Sequence, residues 1–227
     1  MFVNGKQGNI SMGHSSELSA IGIITPGRTF EHAAELGEKL GKAAIDAVNE
    51  IKTTDSPTID TTTLTAHLPL KALPDTASAV ASLAAARERL AEVSGNGAAP
   101  EQIMKAKSNL LYASITDYYA RETSVLPDGV LPAELQMLRI DDALFLAIPA
   151  EVFVEIGLEI KKRAQHKTYI VGIANGYIGY LPTSAAYPAG GYEVVSSKVS
   201  PDTESVLYAE AKELEQEFFG TGAEARR

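Results

Sequence analysis

Three segments of the sequence combine residue types that can do chemistry with the turns that would present them. The first is the glycine-rich run NGKQGNIS at residues 4–11, which ends at Ser11. The second is IPAE at 148–151, and the third is NGYIGYLPT at 175–183, which continues to Tyr192. A hydroxyl, a carboxylate and several phenols can together bind a metal ion, move protons and stabilise an oxyanion.

Each of these segments also has a purely structural interpretation. A serine in a glycine-rich turn often caps backbone groups, as Ser11 would. Glu151 follows an apolar run at a strand-to-helix junction. In a first helical turn its carboxylate would offset the helix dipole, whereas at the carboxyl end of a strand it would face a ligand. Aromatic packing alone would hold down the tyrosine-rich loop. Residue types and spacing leave these alternatives open.

Hydrophobic periodicity predicts the elements that position the three segments. Five helices are predicted. The first follows the N-cap Thr29 and covers 30–51, and the others cover 75–93, 101–122, a segment from Pro149 onward and 202–219. Strands are predicted over 61–70, 134–140, 143–148 and 169–173. The alternation of strands and helices predicts an α/β fold, in which helices pack on a layered sheet.

Some of these elements carry more specific expectations. The helices within 75–122 are joined by the turn SGNGAAP, which predicts an antiparallel helical hairpin that forms an excursion without chemistry of its own. The run ALFLAI at 143–148 is apolar on both faces, as is typical of a central strand covered on both sides. Gly37 and Gly41 predict close packing of their helix against another element. The tail 220–227 is predicted to fray.

The composition excludes several kinds of site and makes several partners unexpected. The 227 residues include 20 Lys and Arg against 29 Asp and Glu, for a net charge of -9, and contain no Lys/Arg-rich run, so nucleic-acid binding is not expected. The absence of cysteine excludes disulfides, thiolate zinc sites and cysteine nucleophiles. No apolar run reaches the roughly 20 residues of a membrane span, and the N-terminus lacks a signal core. No transmembrane span is expected, and the localisation stays open.

The three segments, in this order, resemble the neutral/alkaline non-lysosomal ceramidase family. The similarity is strongest over 143–197, which carries the family's Pro-small-Glu turn, Asn-x-Tyr-x-x-Tyr run and Tyr-Glu pair. The run at 4–11 is similar to the family's Asn-Gly-x-x-Gly-Asp-x-Ser/Asn-Pro loop, and the helix over 30–51 to its next element, whereas 53–130 matches weakly. The resemblance implies that residues 1–227 form the C-terminal part of a ceramidase-like catalytic domain.

That family hydrolyses the amide of N-acylsphingosines at a zinc ion. The resemblance therefore implies a zinc-dependent amidohydrolase that acts on a lipid-like N-acyl substrate. It implies that Glu151 and Tyr180 are zinc ligands. It also implies that Ser11 is the catalytic loop serine and that Tyr192 hydrogen-bonds the developing oxyanion. Zinc polarises a carbonyl and lowers the pKa of bound water, so either water or Ser11 can make the first attack.

The sequence departs from the family's pattern in the serine loop and in the zinc ligands. Asn9 and Met12 stand where the family usually has Asp and Pro. The family's two zinc-binding histidines lie in an upstream segment that this chain does not contain, and only His14, three residues after Ser11, is a candidate substitute. Weak zinc binding by the chain alone is therefore expected. Its expected partners are an upstream half-domain or a second copy that covers exposed core surface.

Two other function classes are open to the sequence. A split or decayed family member would act as a non-catalytic binding or assembly module, which the substitutions in the serine loop favour. An unrelated α/β hydrolase with Ser11 as nucleophile is disfavoured, because the sequence has no Gly-x-Ser-x-Gly elbow and no obvious histidine partner. The family's members are usually exported or membrane-associated, but no signal peptide is recognisable in this chain.

Overall fold

The structure, a computed structural model, describes residues 2–219 and is built on one main sheet. The strands of that sheet are β1 (Ile59–Pro69), β2 (Val130–Ile140), β3 (Ala143–Ile148) and β5 (Lys167–Gly172). They lie in the order β1-β2-β3-β5, antiparallel except for the parallel pair β3–β5. A second, small sheet pairs β4 (Glu151–Val152) with β6 (Tyr180–Leu181) in parallel.

Helices surround the sheet unevenly. They are α1 (Ser16–Ala20), α2 (Phe30–Glu50), α3 (Thr76–Gly95), α4 (Pro100–Thr123), α5 (Val154–Arg163), α6 (Tyr192–Val195) and α7 (Thr203–Phe219). Both α5 and α7 pack on one face of the main sheet. Burial of each Leu or Ile side chain there contributes about 2 kcal/mol to folding. The core includes Leu68, Leu135, Leu144, Leu146, Ile156, Leu207 and Leu214.

Burial alternates strictly along the strands. Where the helices cover the sheet, the buried residues are the even-numbered ones of β1, β3 and β5 and the odd-numbered ones of β2. These residues form one face of the sheet. The other face is half-buried or exposed, so the expectation that residues 143–148 are covered on both sides is wrong for the described structure. Both helices that pack extensively on the sheet lie on its buried face, which leaves the apolar residues of the other face in contact with solvent.

The α/β prediction and its helical hairpin are confirmed. Asp75 caps α3 by accepting a hydrogen bond from the Ser78 amide, and Pro100 opens α4 at a position where its missing N–H costs nothing. The hairpin leaves the sheet at the end of β1 and returns at the start of β2, where Pro69 pairs with Val130. The predicted boundaries of the long helices and strands agree with the structure to within about four residues.

Two sequence-based expectations are wrong in detail. Pro149 does not open a helix, because the chain turns there and α5 begins only at Val154. Gly37 and Gly41 do not mark close packing, since a Cβ at either position would meet nothing within 4 Å. Helix α2 instead exposes its apolar side chains.

The predicted fraying of 220–227 lies outside the described residues. Within 2–219, no helix has the length and apolarity needed to cross a bilayer.

Candidate functional site

The short ladder between β4 and β6 brings a carboxylate beside a phenol. Glu151 is the register partner of Tyr180, so the two side chains leave neighbouring backbone positions. The Glu151 amide donates to the Gly179 carbonyl at 3.0 Å, and the Phe153 amide donates to the Leu181 carbonyl at 3.1 Å. Glu151 therefore lies on a strand after the turn at Pro149, not in the first turn of a helix, which removes the helix-dipole interpretation of its carboxylate.

The glycine-rich loop packs directly on this ladder. The Gly8 amide donates to the Val152 carbonyl at 2.8 Å, and a Cβ at Gly8 would lie only 2.4 Å from the Glu151 carbonyl oxygen. The side chain of Asn9 accepts from the Val154 amide and donates to Glu155 Oε2, each at 2.8 Å. An amide satisfies both contacts at once, so Asn9 has a structural role at the start of α5 that a carboxylate there would only half fulfil.

Ser11 makes the turn contacts that its structural interpretation predicts. Its hydroxyl donates to the His14 carbonyl at 2.6 Å and accepts from the His14 amide at 2.7 Å. The residue is nevertheless exposed and lines the same cleft as Glu151. The serine is thus positioned at the cleft, but its hydroxyl is engaged by backbone.

Tyr192 lies on the one-turn helix α6, next to Tyr180. The two rings meet edge to face with centroids 6.0 Å apart. From the other side, Lys71 Nζ donates to the carbonyls of Val194 and Val195, each at 2.9 Å, and so fixes the end of α6. Lys71 is a positioning contact that the sequence did not reveal, since it lies in the connector after β1.

All four residues singled out from the sequence line one cleft of about 1180 Å³, namely Ser11, Glu151, Tyr180 and Tyr192. The cleft lies between the glycine-rich loop, the β4–β6 ladder and α6, so segments from both ends of the chain build it. His14 and His32 line it as well. The structure thus brings the predicted residues together, and their roles stay predictions.

Phenols surround the Glu151 carboxylate. The Tyr177 hydroxyl donates to Glu151 Oε1 at 2.7 Å. Burial, and after it the hydrogen bond to Glu151, raise the pKa of Tyr177. Burial and the negative charge of Glu151 likewise raise the pKa of Tyr180. Both phenols therefore keep their protons at neutral pH and act as hydrogen-bond donors unless a cation replaces the proton.

The helical hairpin supports two elements at the cleft, α1 and α6, which the sequence analysis missed. On α4, the Tyr112 hydroxyl donates to the cleft residue Glu17, and the Tyr119 hydroxyl donates to the Ser196 carbonyl at 3.0 Å. Burial raises the pKa of Tyr119 to about 12. The seven-residue spacing of Tyr112 and Tyr119 places them on one helix face, and two phenols on that face were the available signal.

The donor atoms present fit half of a catalytic zinc site. Such a site usually takes three protein ligands and leaves a fourth position for water or substrate. Glu151 and Tyr180 offer a carboxylate oxygen and a phenol oxygen from adjacent register positions. Within residues 2–219, no three side chains of His, Asp or Glu converge to hold a metal ion, although His14 lines the cleft.

Lys71 makes the stability of the chain depend on pH. Burial lowers its pKa from 10.5 to about 8. From about pH 8 to 10.5 the unfolded chain therefore holds this proton more tightly than the folded chain, so the contribution of Lys71 to the unfolding free energy rises with pH. We expect Lys71→Met to remove that increment in urea unfolding compared at about pH 7 and about pH 9.5. Lys39→Met, at an exposed helix position, should keep it; equal pH dependence in both variants would contradict the assignment.

Comparison with known proteins finds partial likenesses. A neutral ceramidase from Pseudomonas aeruginosa is 29% identical over 38% of this chain and 15% of that chain, with a TM-score of 0.35. A ceramidase complexed with C2 is 30% identical over 38% of this chain and 14% of that chain, with a TM-score of 0.33. The matched part spans about a seventh of either neighbour. No family model matches the sequence, and no curated protein matches it.

Proposed function

We propose that the cleft is part of the active site of a zinc-dependent amidohydrolase that cleaves the amide of N-acylsphingosine-type lipids. The single observation that carries the proposal is the convergence of Ser11, Glu151, Tyr180 and Tyr192 on one cleft. They come from separate segments, and the resemblance of those segments to the ceramidase family implies their roles independently of the geometry. A chance assortment of turn residues would have no reason to meet at one place.

In this proposal Glu151 and Tyr180 hold the metal, and ligands from outside the described residues complete the site. Zinc, when bound, would polarise the amide carbonyl and lower the pKa of a water molecule. Tyr177 would orient the Glu151 carboxylate through its 2.7 Å hydrogen bond, as groups around metal ligands commonly do. The neutral phenol of Tyr180 would give up its proton on binding, because a divalent cation outweighs the unfavourable environment of the phenolate.

Tyr192 and Ser11 would act on the amide itself. Tyr192 stands edge to face with Tyr180, so its hydroxyl can donate to an oxygen atom beside the metal position, where negative charge develops during amide cleavage. Ser11 would have to leave its turn contacts with His14 in order to attack or to donate a second hydrogen bond. Water therefore stays the alternative nucleophile.

The cleft also suits a substrate with an apolar chain. Ile10, Met12 and Phe30 line it and are 61%, 55% and 92% exposed, respectively. Side chains of this kind gain free energy when an acyl chain covers them, at about 25 cal/mol for each Å² removed from water. The apolar rim supports a lipid-like substrate over a polar peptide or sugar.

The experiment is an assay for release of a fluorescent fatty acid from an N-acylsphingosine in mixed micelles, with zinc in excess. It is run on the 227-residue chain and again on this chain joined to any catalytic-domain segment encoded directly upstream. We expect Tyr192→Phe and Ser11→Ala to lower kcat by about 100-fold, the size of effect seen when an oxyanion donor is removed.

Two matched variants control for nonspecific damage. Tyr187→Phe removes another phenol of the same loop, whose hydroxyl donates to the Val199 carbonyl, and Ser15→Ala removes another hydroxyl beside the cleft. Both should leave kcat within about threefold of the parent value. Equal losses in the control and test variants, or no hydrolysis in either form of the protein, would remove the enzyme proposal.

A non-catalytic binding module is the second candidate, and one observation favours it. The Ser11 hydroxyl donates to the His14 carbonyl at 2.6 Å and accepts from the His14 amide at 2.7 Å, and within residues 2–219 no general base is hydrogen-bonded to it. Under this proposal the cleft binds a lipid-like amide without cleaving it. Two results together would support this candidate. The chain binds the N-acylsphingosine and Ile10→Glu weakens that binding, and the substrate stays uncleaved after prolonged incubation.

A further inference from the structure

The open face of the main sheet is the second notable surface of the molecule. We define it as the odd-numbered residues of β1, β3 and β5 together with the even-numbered residues of β2. Leu138, Phe145 and Val171 lie on it half-buried, and Tyr169, which stacks on Phe145 at a centroid distance of 5.2 Å, is 37% exposed. Both α5 and α7 pack on the opposite face. The apolar centre of this face is thus built like the interior of a two-layer structure, but none of the described helices of residues 2–219 packs on it as a second layer.

We propose that this open face is a homodimer interface, on which a second copy of the chain packs its own open face about a twofold axis. Such an interface is isologous, so the face must be complementary to itself. The charge pattern meets that condition. The chain has a net charge of -9, yet the strand residues of this face include one carboxylate, Glu134, one ammonium group, Lys167, and the imidazole of His67. Two copies can therefore approach through it without the repulsion that the rest of the surface would produce.

If the two charges pair across the interface, their positions fix where the twofold axis lies. Glu134 is on β2, and Lys167 is on β5 beside Ala143, whose β2 partner is Ile140. The charges are therefore separated by two strand positions across the sheet and by six residues along it. Their midpoint falls on β3 between Phe145 and Ala147. A twofold axis that passes over that point, in the plane between the two sheets and at right angles to the line joining the charges, brings each Glu134 to the Lys167 of the other copy and places the Phe145 rings near the centre of the contact.

The size of the face suits a stable dimer. Strands lie about 4.8 Å apart and rise about 3.3 Å per residue, so four strands give a width of roughly 19 Å and lengths of roughly 20 to 36 Å. The projected area is roughly 500 Å² per copy, so a contact over the whole face would cover roughly 1,000 Å² in total, the size from which specific interfaces begin. Both surfaces are rigid sheet, so little conformational entropy is lost on association.

The experiment measures the mass of the 227-residue chain by sedimentation equilibrium up to about 100 µM. We expect a dimer that Phe145→Glu converts to a monomer. Glu134→Lys and Lys167→Glu should each weaken the dimer about tenfold, and the double reversal should restore it, because it recreates the ion pairs with the signs exchanged. Both charged residues are exposed, so these variants test the interface even if Phe145→Glu fails to fold.

The matched control is Ile45→Glu on α2, where the side chain is 65% exposed on the other unpartnered apolar surface. It should leave the dimer intact. A monomeric parent chain at about 100 µM would overturn the proposal. So would a dimer that Ile45→Glu dissociates and the charge reversals do not change, since the contact would then lie on α2. The proposal does not depend on the enzymatic one, because sedimentation reports association whether or not any amide is cleaved.

Discussion

Gly8→Ala is expected to destabilise the chain by about 3 kcal/mol, at the upper end of the usual cost of overpacking. The added methyl group would lie 2.4 Å from the Glu151 carbonyl oxygen and 2.9 Å from the carbonyl carbon of Val152. Both atoms belong to backbone that is hydrogen-bonded on its other side to β6, so they cannot move aside independently. The chain must therefore separate the glycine-rich loop from β4, which also breaks the hydrogen bond from the Gly8 amide to Val152.

The measurement is urea unfolding followed by circular dichroism, since the chain has no tryptophan. Gly5→Ala is the matched control, because a Cβ at Gly5 would meet nothing within 4 Å. The same substitution three residues away in the same loop should change the unfolding free energy by less than about 1 kcal/mol. Indistinguishable midpoints for the two variants would show that the loop does not press on the ladder as the structure describes.

Glu151→Gln is expected to have the largest effect on metal binding. It keeps the size of the side chain but removes the negative charge that a divalent cation requires, so we expect zinc affinity to fall by at least about 100-fold. If Tyr180 binds zinc as proposed, the metal displaces the phenol proton, so a zinc titration should raise the phenolate absorbance of the parent chain. That increase should be absent from Glu151→Gln and from Tyr180→Phe.

Tyr177→Phe is the control that makes this result specific. Tyr177 also contacts the Glu151 carboxylate, and Glu151 also raises its pKa, but its side chain is not a proposed ligand. The variant should keep the phenolate signal while zinc affinity falls by about tenfold, the lower end of effects from groups around a ligand. Phenolate absorbance that survives in Tyr180→Phe and disappears in Tyr177→Phe would transfer the ligand role to Tyr177.

Local patterns predicted the parts of the fold that local physics determines. The long helices and the main strands follow from apolar periodicity, from the capping residue Thr29 and from Pro100 at the start of α4. The two-residue strands β4 and β6 have no such signal. They exist because Glu151 and Tyr180 meet through backbone hydrogen bonds that the rest of the fold makes possible, and no propensity acts over two residues.

The residues of the candidate site likewise include some that the sequence predicted and some that it did not. Ser11, Glu151, Tyr180 and Tyr192 were predictable because turn chemistry and family resemblance mark their segments, and the structure gathers them in one cleft. Lys71 was not, since an isolated lysine in a connector carries no signal until the carbonyls it contacts are known. The exposed face of β3 was predicted wrongly, because apolar residues on both sides of a strand show that a cover is favourable but not whether the same chain supplies it.

The place of the helical hairpin in the chain has a consequence for how the cleft can change. Pro69 and Val130 are paired neighbours, so everything between them enters and leaves the sheet at one point. Insertions, deletions or new sequence in that excursion can change the helix face that bears Tyr112 and Tyr119, and with it the support of α1 and α6, without shifting the strand register. Selection can therefore alter how α1 and α6 border the cleft, and so which ligands fit there, while the paired positions of Glu151 and Tyr180 stay fixed.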